Sequence, residues 1–186
     1  MKTLTIEEIR DWLQQRPVQL TNDDRLYFDV HERGCLAIEL PEKPYQLVSL
    51  ANALIPHDYD ESAPFQGALL WIRQWGVWNE LVERVGLRIM EVMRRSPGGS
   101  RPLEEAPGNL FGEQDLIDLQ ACFLQPLLIG WDAFLVPESG DYFVATSHDE
   151  TTCVVGRTQQ IHENLRVRLQ AWNPRDCPER YFRATL

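Results

Sequence analysis

The feature that most constrains the fold is a stripe of large apolar side chains in residues 66–95. Its members recur three or four residues apart, which is the spacing of one face of an α-helix. Arginine and glutamate residues fall on the opposite side of the same helical projection. We therefore predict one long amphipathic helix over residues 66–95 as the central packing element, with Gly76 and Gly86 as its candidate break points. The stripe consists of Trp71, Trp75, Trp78, Val82, Val85, Ile89 and Met93.

The N-terminal segment predicts one helix followed by a β-hairpin. Thr5 and Glu8 have the spacing of a capping box, which predicts a first helix that ends near Arg16. Apolar residues then alternate with polar ones over residues 26–31 and 35–40. This alternation is typical of strands with one buried face, and the short turn between them predicts that the two strands pair with each other.

Two of the connecting segments are loops by composition, residues 56–64 and 96–112. The second holds three prolines and four glycines. An internal loop of this length is usually functional or disordered, or it conceals an element. Residues 45–55 fit either a strand or a short helix, and we favour a strand over residues 45–50.

The last third of the chain predicts a helix, a three-stranded meander and a final helix. The first of these helices covers residues 113–128, where Pro126 must kink or end it. Thr158 is the expected N-cap of the final helix, and Asn173 with the following proline stops it. The strands of the meander are expected at residues 131–136, 142–147 and 152–157.

Strands that cluster, rather than alternating singly with helices, are typical of an α+β fold. We predict a single globular domain over residues 1–186 with a mostly antiparallel sheet. The N-terminal hairpin and the C-terminal three-stranded meander supply its strands. The long central helix and two or three further helices pack on one face of this sheet. Residues 96–112 remain a long Pro/Gly-rich loop.

Charge and hydropathy exclude several classes of protein. The formal net charge is −10, and residues 96–157 alone carry 2 basic and 10 acidic groups, which gives −8. A chain without a basic stripe is a poor match for nucleic acid or for an anionic membrane surface. No apolar run approaches the about 18 residues that a membrane span requires. We therefore expect a soluble protein with no nucleic-acid or membrane partner.

The cysteines point to a compartment. They are widely spaced, no CxxC pair is present, and residues 1–15 lack the apolar core of a signal peptide. We predict a cytoplasmic protein in which all four cysteines are reduced thiols. They are Cys35, Cys122, Cys153 and Cys177.

Histidine–acid pairs are the candidates for chemistry. Two of them lie in dense clusters within predicted loops or turns, residues 57–61 and 148–150. Loops often carry functional residues, but aspartate is also common in turns for local backbone reasons. The weak catalytic candidates are His57, Asp58, His148 and Asp149. No phosphate-binding loop, nucleophile elbow or HExxH motif is present, and we expect no cofactor and no metal.

Two function classes remain. We favour a non-enzymatic acidic protein-binding domain, in which residues 20–65 and 96–157 mask a basic partner in the manner of an inhibitor or immunity protein. The alternative is a small metal-dependent or acid–base hydrolase that uses the His57/Asp58 and His148/Asp149 clusters. The sequence does not specify an oligomeric state.

Overall fold

The computed structural model of the chain describes residues 1–28, 35–55, 64–75, 80–95 and 101–177, which contain ten strands and five α-helices. The strands are β1 (Lys2–Leu4), β2 (Val18–Leu20), β3 (Leu26–Phe28), β4 (Cys35–Glu39), β5 (Ala68–Gln74), β6 (Gly108–Phe111), β7 (Asp132–Pro137), β8 (Tyr142–Ser147), β9 (Thr151–Gly156) and β10 (Arg175–Cys177). The helices are α1 (Ile6–Gln14), α2 (Pro44–Leu54), α3 (Glu80–Arg94), α4 (Leu116–Ile129) and α5 (Gln159–Arg168), and one turn of 3₁₀-helix follows at Gln170–Trp172.

Eight of these strands form one antiparallel sheet in the order β1-β6-β5-β7-β8-β9-β4-β10. The other two, β2 and β3, form a separate antiparallel pair. Consecutive strands β7, β8 and β9 are neighbours in the large sheet, so the predicted meander is confirmed. The α+β class with a mostly antiparallel sheet is also confirmed.

The large sheet is buried on both faces because its side chains alternate between two hydrophobic cores. In β5, Ala68, Leu70 and Ile72 point into the first core, whereas Leu69 and Trp71 point into the second. Apolar residues of α2, α3, α4 and α5 cover the first core, as predicted for one face. The opposite face is covered by α1 and by the β2–β3 pair, which makes the domain three layers deep.

The single long helix predicted over residues 66–95 is wrong in its first half. Residues 68–74 form the strand β5, and the described part of the helix α3 is Glu80–Arg94. Gly76 and Trp78 lie outside the described residues. Trp71 is buried in the second core and Trp75 packs against the first, so these two tryptophans do not share one helical face. Gly86 does not break α3. A Cβ there would lie 2.1 Å from Ile129 and 3.0 Å from Trp131, so the glycine allows α3 to approach the end of α4.

The predicted N-terminal hairpin is wrong in its pairing, although strands do occur in both segments. β3 pairs with β2, whereas β4 pairs with β9 and β10 in the large sheet. The strand favoured over residues 45–50 is also wrong, because Pro44–Leu54 is the helix α2. Proline in its first turn suits a helix start, since that position needs no backbone N–H donor.

Four short strands were missed, β1, β2, β6 and β10, and the residues of the last two resemble loops. The strand β6 lies at the end of the Pro/Gly-rich segment 96–112, of which residues 96–100 lie outside the described part. The strand β10 lies in a tail with no apolar pattern. Each completes an edge of the sheet, β6 by joining β1 to β5 and β10 by covering β4.

The predicted helix starts at Thr5 and Thr158 are confirmed by their hydrogen bonds. Thr5 and Glu8 form the reciprocal capping box of α1, and the Thr158 side chain accepts the N–H of Ile161 at the start of α5. α4 continues through Pro126 for one further turn and ends at Gly130, whose φ of 72° is left-handed. No helix of the described residues is long and apolar enough to cross a membrane.

The prediction that all four cysteines are reduced is wrong. Cys35 is disulfide-bonded, whereas Cys122 and Cys153 are free. Burial raises the pKa of the Cys122 thiol to about 12 and that of Cys153 to about 11. The register of β10 on β4 sets the backbone of Cys177 opposite Cys35.

We therefore expect a peptide map of unreduced protein to link Cys35 to Cys177. Thiol titration of denatured, unreduced protein should count two thiols, and reduction should raise the count to four. In the folded protein at pH 8 both remaining thiols should react slowly, because Cys122 is buried, Cys153 is half-buried and both are almost wholly protonated. A count of four without reductant would contradict the disulfide.

Candidate functional site

His148 and Asp149 lie in a three-residue turn that connects β8 to β9. The turn is held by its own side chains. The Ser147 hydroxyl accepts the N–H of Asp149 at 3.2 Å, and the Thr151 hydroxyl donates to the Asp149 carbonyl at 3.3 Å. Glu150 has a φ of 58°, the left-handed conformation that closes three-residue hairpin turns. The backbone around His148 is therefore well defined.

A buried carboxylate fixes the imidazole of His148. Asp132 is the first residue of β7 and is 3% exposed. Its Oδ1 accepts the backbone N–H of His148 at 2.8 Å and lies 2.9 Å from Nδ1 of the ring. Because an ionised carboxylate can only accept, Nδ1 carries the proton in this arrangement. Asp132 thereby sets both the tautomer and the orientation of His148.

The register of the sheet explains why these two residues meet. Ala133 is opposite Thr146, so the start of β7 lies beside the end of β8. The other nitrogen of the ring, Nε2, lies 3.8 Å from Oδ1 of Asp149, whose side chain is half exposed. One side of His148 is thus anchored in the protein, and the other side faces an exposed acid.

Arg73 adds a positive charge near this pair. Its guanidinium carbon lies 5.4 Å from the ring centroid of Phe134 and 5.9 Å from that of Trp71. Burial lowers the pKa of Arg73, and the negative charges of Asp24 and Asp132 oppose this effect. The buried carboxylate of Asp132 is therefore compensated from two directions, by the hydrogen bonds of His148 and by the field of Arg73.

The Asp132–His148 pair supplies two of the groups that an acid–base catalytic site contains. A buried aspartate that orients a partly exposed histidine is the pairing that lets an imidazole move a proton in hydrolases. The neighbouring hydroxyls of Ser147 and Thr151 are engaged within the turn. Across the described ranges, no three His, Cys, Asp or Glu side chains converge as a metal-ligand group.

The structure thus brings His148 and Asp149 together with a residue that sequence reasoning missed, Asp132. The sequence did contain a signal for Asp132. It is an aspartate at the first position of an otherwise apolar strand, where a buried charge needs a partner. The other two candidates, His57 and Asp58, lie outside the described residues.

The charged surface is the second candidate feature. Most arginines of the described residues form ion pairs within the chain, and many of these pairs connect different elements. The pairs are Arg10–Asp24, Arg16–Glu138, Arg25–Asp23, Arg88–Glu91, Arg95–Glu91, Arg101–Glu8, Arg157–Asp141, Arg166–Glu163, Arg166–Asp176 and Arg175–Glu39.

A surplus of acids remains once these pairs are formed. Within the described ranges, the exposed acids that form no ion pair are Glu7, Asp11, Glu42, Glu104, Glu105, Glu113, Asp118 and Glu150. Lys2 and Lys43 are exposed and likewise unpaired. In the described ranges, the excess of negative charge therefore lies on exposed acids outside these ion pairs.

Three of these acids belong to two segments that meet at one end of the large sheet. β1 and β6 are antiparallel, with Leu4 opposite Gly108, so the start of α1 and the segment before β6 lie at the same end of the sheet. Arg101 in that segment binds the Glu8 side chain in the first turn of α1. We call Glu7, Glu104 and Glu105 the acidic corner. Glu8 and Arg101 neutralise each other within it.

No protein-family model, curated protein or solved structure matches this chain. The Asp132–His148 pair and the acidic corner must therefore be interpreted from their own chemistry.

Replacing Asp132 by alanine should reduce the free energy of unfolding by about 2–3 kcal/mol, because hydrogen bonds to a buried charged acceptor are lost. Asp149→Ala is the matched control in the same turn. Its side chain is exposed, so we expect a change within about 0.5 kcal/mol. Urea unfolding of both variants measures the difference, and equal losses would contradict the anchoring role of Asp132.

Proposed function

We propose that this chain is a non-enzymatic acidic protein-binding domain that masks a basic surface of a partner protein, in the manner of an inhibitor or immunity protein. The single observation that carries the proposal is the surplus of exposed acids outside ion pairs. Complementary charge accelerates the encounter of two proteins and suppresses wrong partners.

The distribution of these acids supports a partner protein better than solubility alone. A solvating surface needs no particular arrangement, whereas the two segments that carry Glu7, Glu104 and Glu105 are distant in sequence and meet at one end of the sheet. The arginines nearby are occupied, since Arg101 binds Glu8 and the Thr3 carbonyl, and Arg94 is buried against the Ala106 carbonyl. Lys2 is an exposed, unpaired base that acts on Glu8 here, and the three unpaired acids outnumber it.

The same reasoning disfavours nucleic acid and anionic membrane as partners. Their phosphates need an accessible stripe of Lys or Arg. In the described part of the chain, most arginines instead connect one element of this fold to another.

A small hydrolase is the second candidate, and the Asp132–His148 pair favours it. In this alternative His148 acts as general base through Nε2, and Asp132 holds the ring. No nucleophile is assigned beside the Asp132–His148 pair, so the hydrolase is the second candidate.

The cytoplasmic location stays a prediction. The disulfide of Cys35 weighs against it, because such bonds persist mainly in oxidising compartments. An inhibitor or immunity protein is compatible with either compartment.

Reversing the acidic corner should slow association with the partner. The test variant is Glu7→Lys, Glu104→Lys, Glu105→Lys. The control variant is Glu91→Lys, Glu163→Lys, Asp176→Lys, which changes the net charge by the same amount at positions outside residues 20–65 and 96–157. We expect the first variant to lose about tenfold or more in association rate at low salt and the control to change little. The partner is isolated by affinity capture with wild-type protein, and rates are measured by stopped flow against salt concentration.

The proposal is contradicted if the association rate of wild-type protein does not change with salt, or if the two variants slow association equally. The acidity would then serve solubility alone. Thermal unfolding of both variants serves as the control for folding.

The hydrolase alternative is tested with chromogenic ester and phosphate substrates. We expect no turnover above background from wild-type protein. Turnover that falls at least a hundredfold in His148→Gln, with folding retained, would favour the enzyme over the binding domain.

A further inference from the structure

A cavity of about 530 Å³ lies between α1 and β2. Its walls come from α1 on one side and from β2 with the following turn on the other. This volume is within the range of ligand sites, about 300–1,000 Å³. The lining residues are Arg10, Leu13, Gln14, Val18, Gln19, Leu20, Thr21 and Asn22. We call this cavity the α1–β2 groove.

One wall of the groove is the unpaired edge of a strand. β2 pairs with β3 on one side, and no residue of β3 lines the cavity, so the groove lies along the opposite edge. The Thr21 N–H donates to the Arg25 carbonyl at 2.9 Å. Because bonding alternates along an antiparallel pair, Gln19 also bonds towards β3, whereas the N–H and C=O groups of Val18 and Leu20 point towards the groove.

These outward groups have no hydrogen-bond partner within the described ranges. Val18 and Leu20 are two residues apart, which places their backbone groups about 7 Å from each other along the strand. That repeat matches the backbone of another extended chain. A strand edge with such groups is the structure to which extended peptides add by main-chain hydrogen bonds.

The charges near the groove indicate what kind of chain fits. Arg10 in the wall is already paired with Asp24 at 2.9 Å. Glu7 and Asp11 are exposed, form no ion pair, and lie three residues before Arg10 and Gln14, so they flank the groove on the surface of α1. The unpaired charge beside the groove is therefore negative.

We infer that the α1–β2 groove binds an extended basic peptide segment of the partner protein as an additional strand on β2. The inference rests on the proposed function, since it names the part of a basic partner that this domain would hold. Main-chain hydrogen bonds to Val18 and Leu20 give the segment its register, and Glu7 and Asp11 select lysine or arginine side chains that point out of the groove.

The test uses the peptide Lys-Thr-Lys-Val-Lys-Thr-Lys as a probe and full-length protein. Amide hydrogen exchange of Val18 and Leu20, followed by NMR, reports strand addition directly. We expect saturating peptide to slow the exchange of both amides at least tenfold. The same peptide with alternate backbone nitrogens methylated should bind at least tenfold more weakly. An acidic peptide with glutamate in place of lysine should likewise lose at least tenfold in affinity.

Two protein variants and one control localise the binding. Leu20→Pro removes an N–H that faces the groove, and Gln14→Trp fills the cavity from α1. Each should weaken binding at least tenfold. Gln46→Ala is the control, because its side chain is exposed on α2, which packs on the opposite face of the sheet, and it should bind as wild type. Since Leu20 is partly buried, Gln14→Trp keeps the test valid if Leu20→Pro fails to fold.

The outcomes separate this inference from the proposed function. The basic peptide could bind in a salt-dependent way without protecting the amides of Val18 and Leu20, or with an affinity that Gln14→Trp leaves unchanged. Either result would overturn the groove and leave the acidic surface as the binding site. Equal binding of the acidic peptide would overturn the assignment of a basic segment. Failure of any peptide to bind would overturn the groove as a peptide site, while the salt dependence with the isolated partner would still decide the proposed function.

Discussion

The burial of β5 on both faces is the constraint on which the rest of the structure depends. Ala68 through Ile72 are each at most 2% exposed, so neither face of this strand is in contact with water over these residues. Five consecutive buried residues on a strand require an apolar layer above and below the sheet. Helices α2 to α5 supply one layer, and α1 with the β2–β3 pair supplies the other. β7 and β8, which follow β5 in the order of the sheet, are likewise buried at every position.

The same constraint explains which parts of the fold were predictable. A strand that is apolar at every position also satisfies helical spacing, so Trp71 and Trp75 were assigned to one helix with residues 80–94. The meander from β7 to β9 and the threonine caps were predictable because local signals determine them. β6 and β10 were not, since their pairing with distant strands overrides polar or glycine-containing sequences. Asp132 escaped notice for a related reason, because its partner His148 is sixteen residues away and reaches it only through strand register.

The arginines show how the acidity of the surface arises from the architecture. Arg16 connects α1 to the turn between β7 and β8, and Arg101 connects the segment before β6 to α1 and β1. Arg168 reaches the carbonyl of Ile55 at the end of α2. A guanidinium carries several N–H donors in a rigid planar fork, which suits arginine to joining elements in this way. Because these positive charges hold layers together, the negative charges that remain are those presented to other molecules.

The pairing of β1 with β6 also sets an order of assembly. Residues 1–28 are synthesised before their partners, since β1 pairs with residues 108–110 and α1 belongs to a core that includes Phe143. At a synthesis rate of about 5–20 residues per second, the N-terminal segment waits on the order of ten seconds for these partners. During that time Ile9 and Leu13 of α1, which are 0% and 1% exposed in the final fold, have no core to cover them. The layer that carries the α1–β2 groove is thus synthesised before the sheet on which it docks.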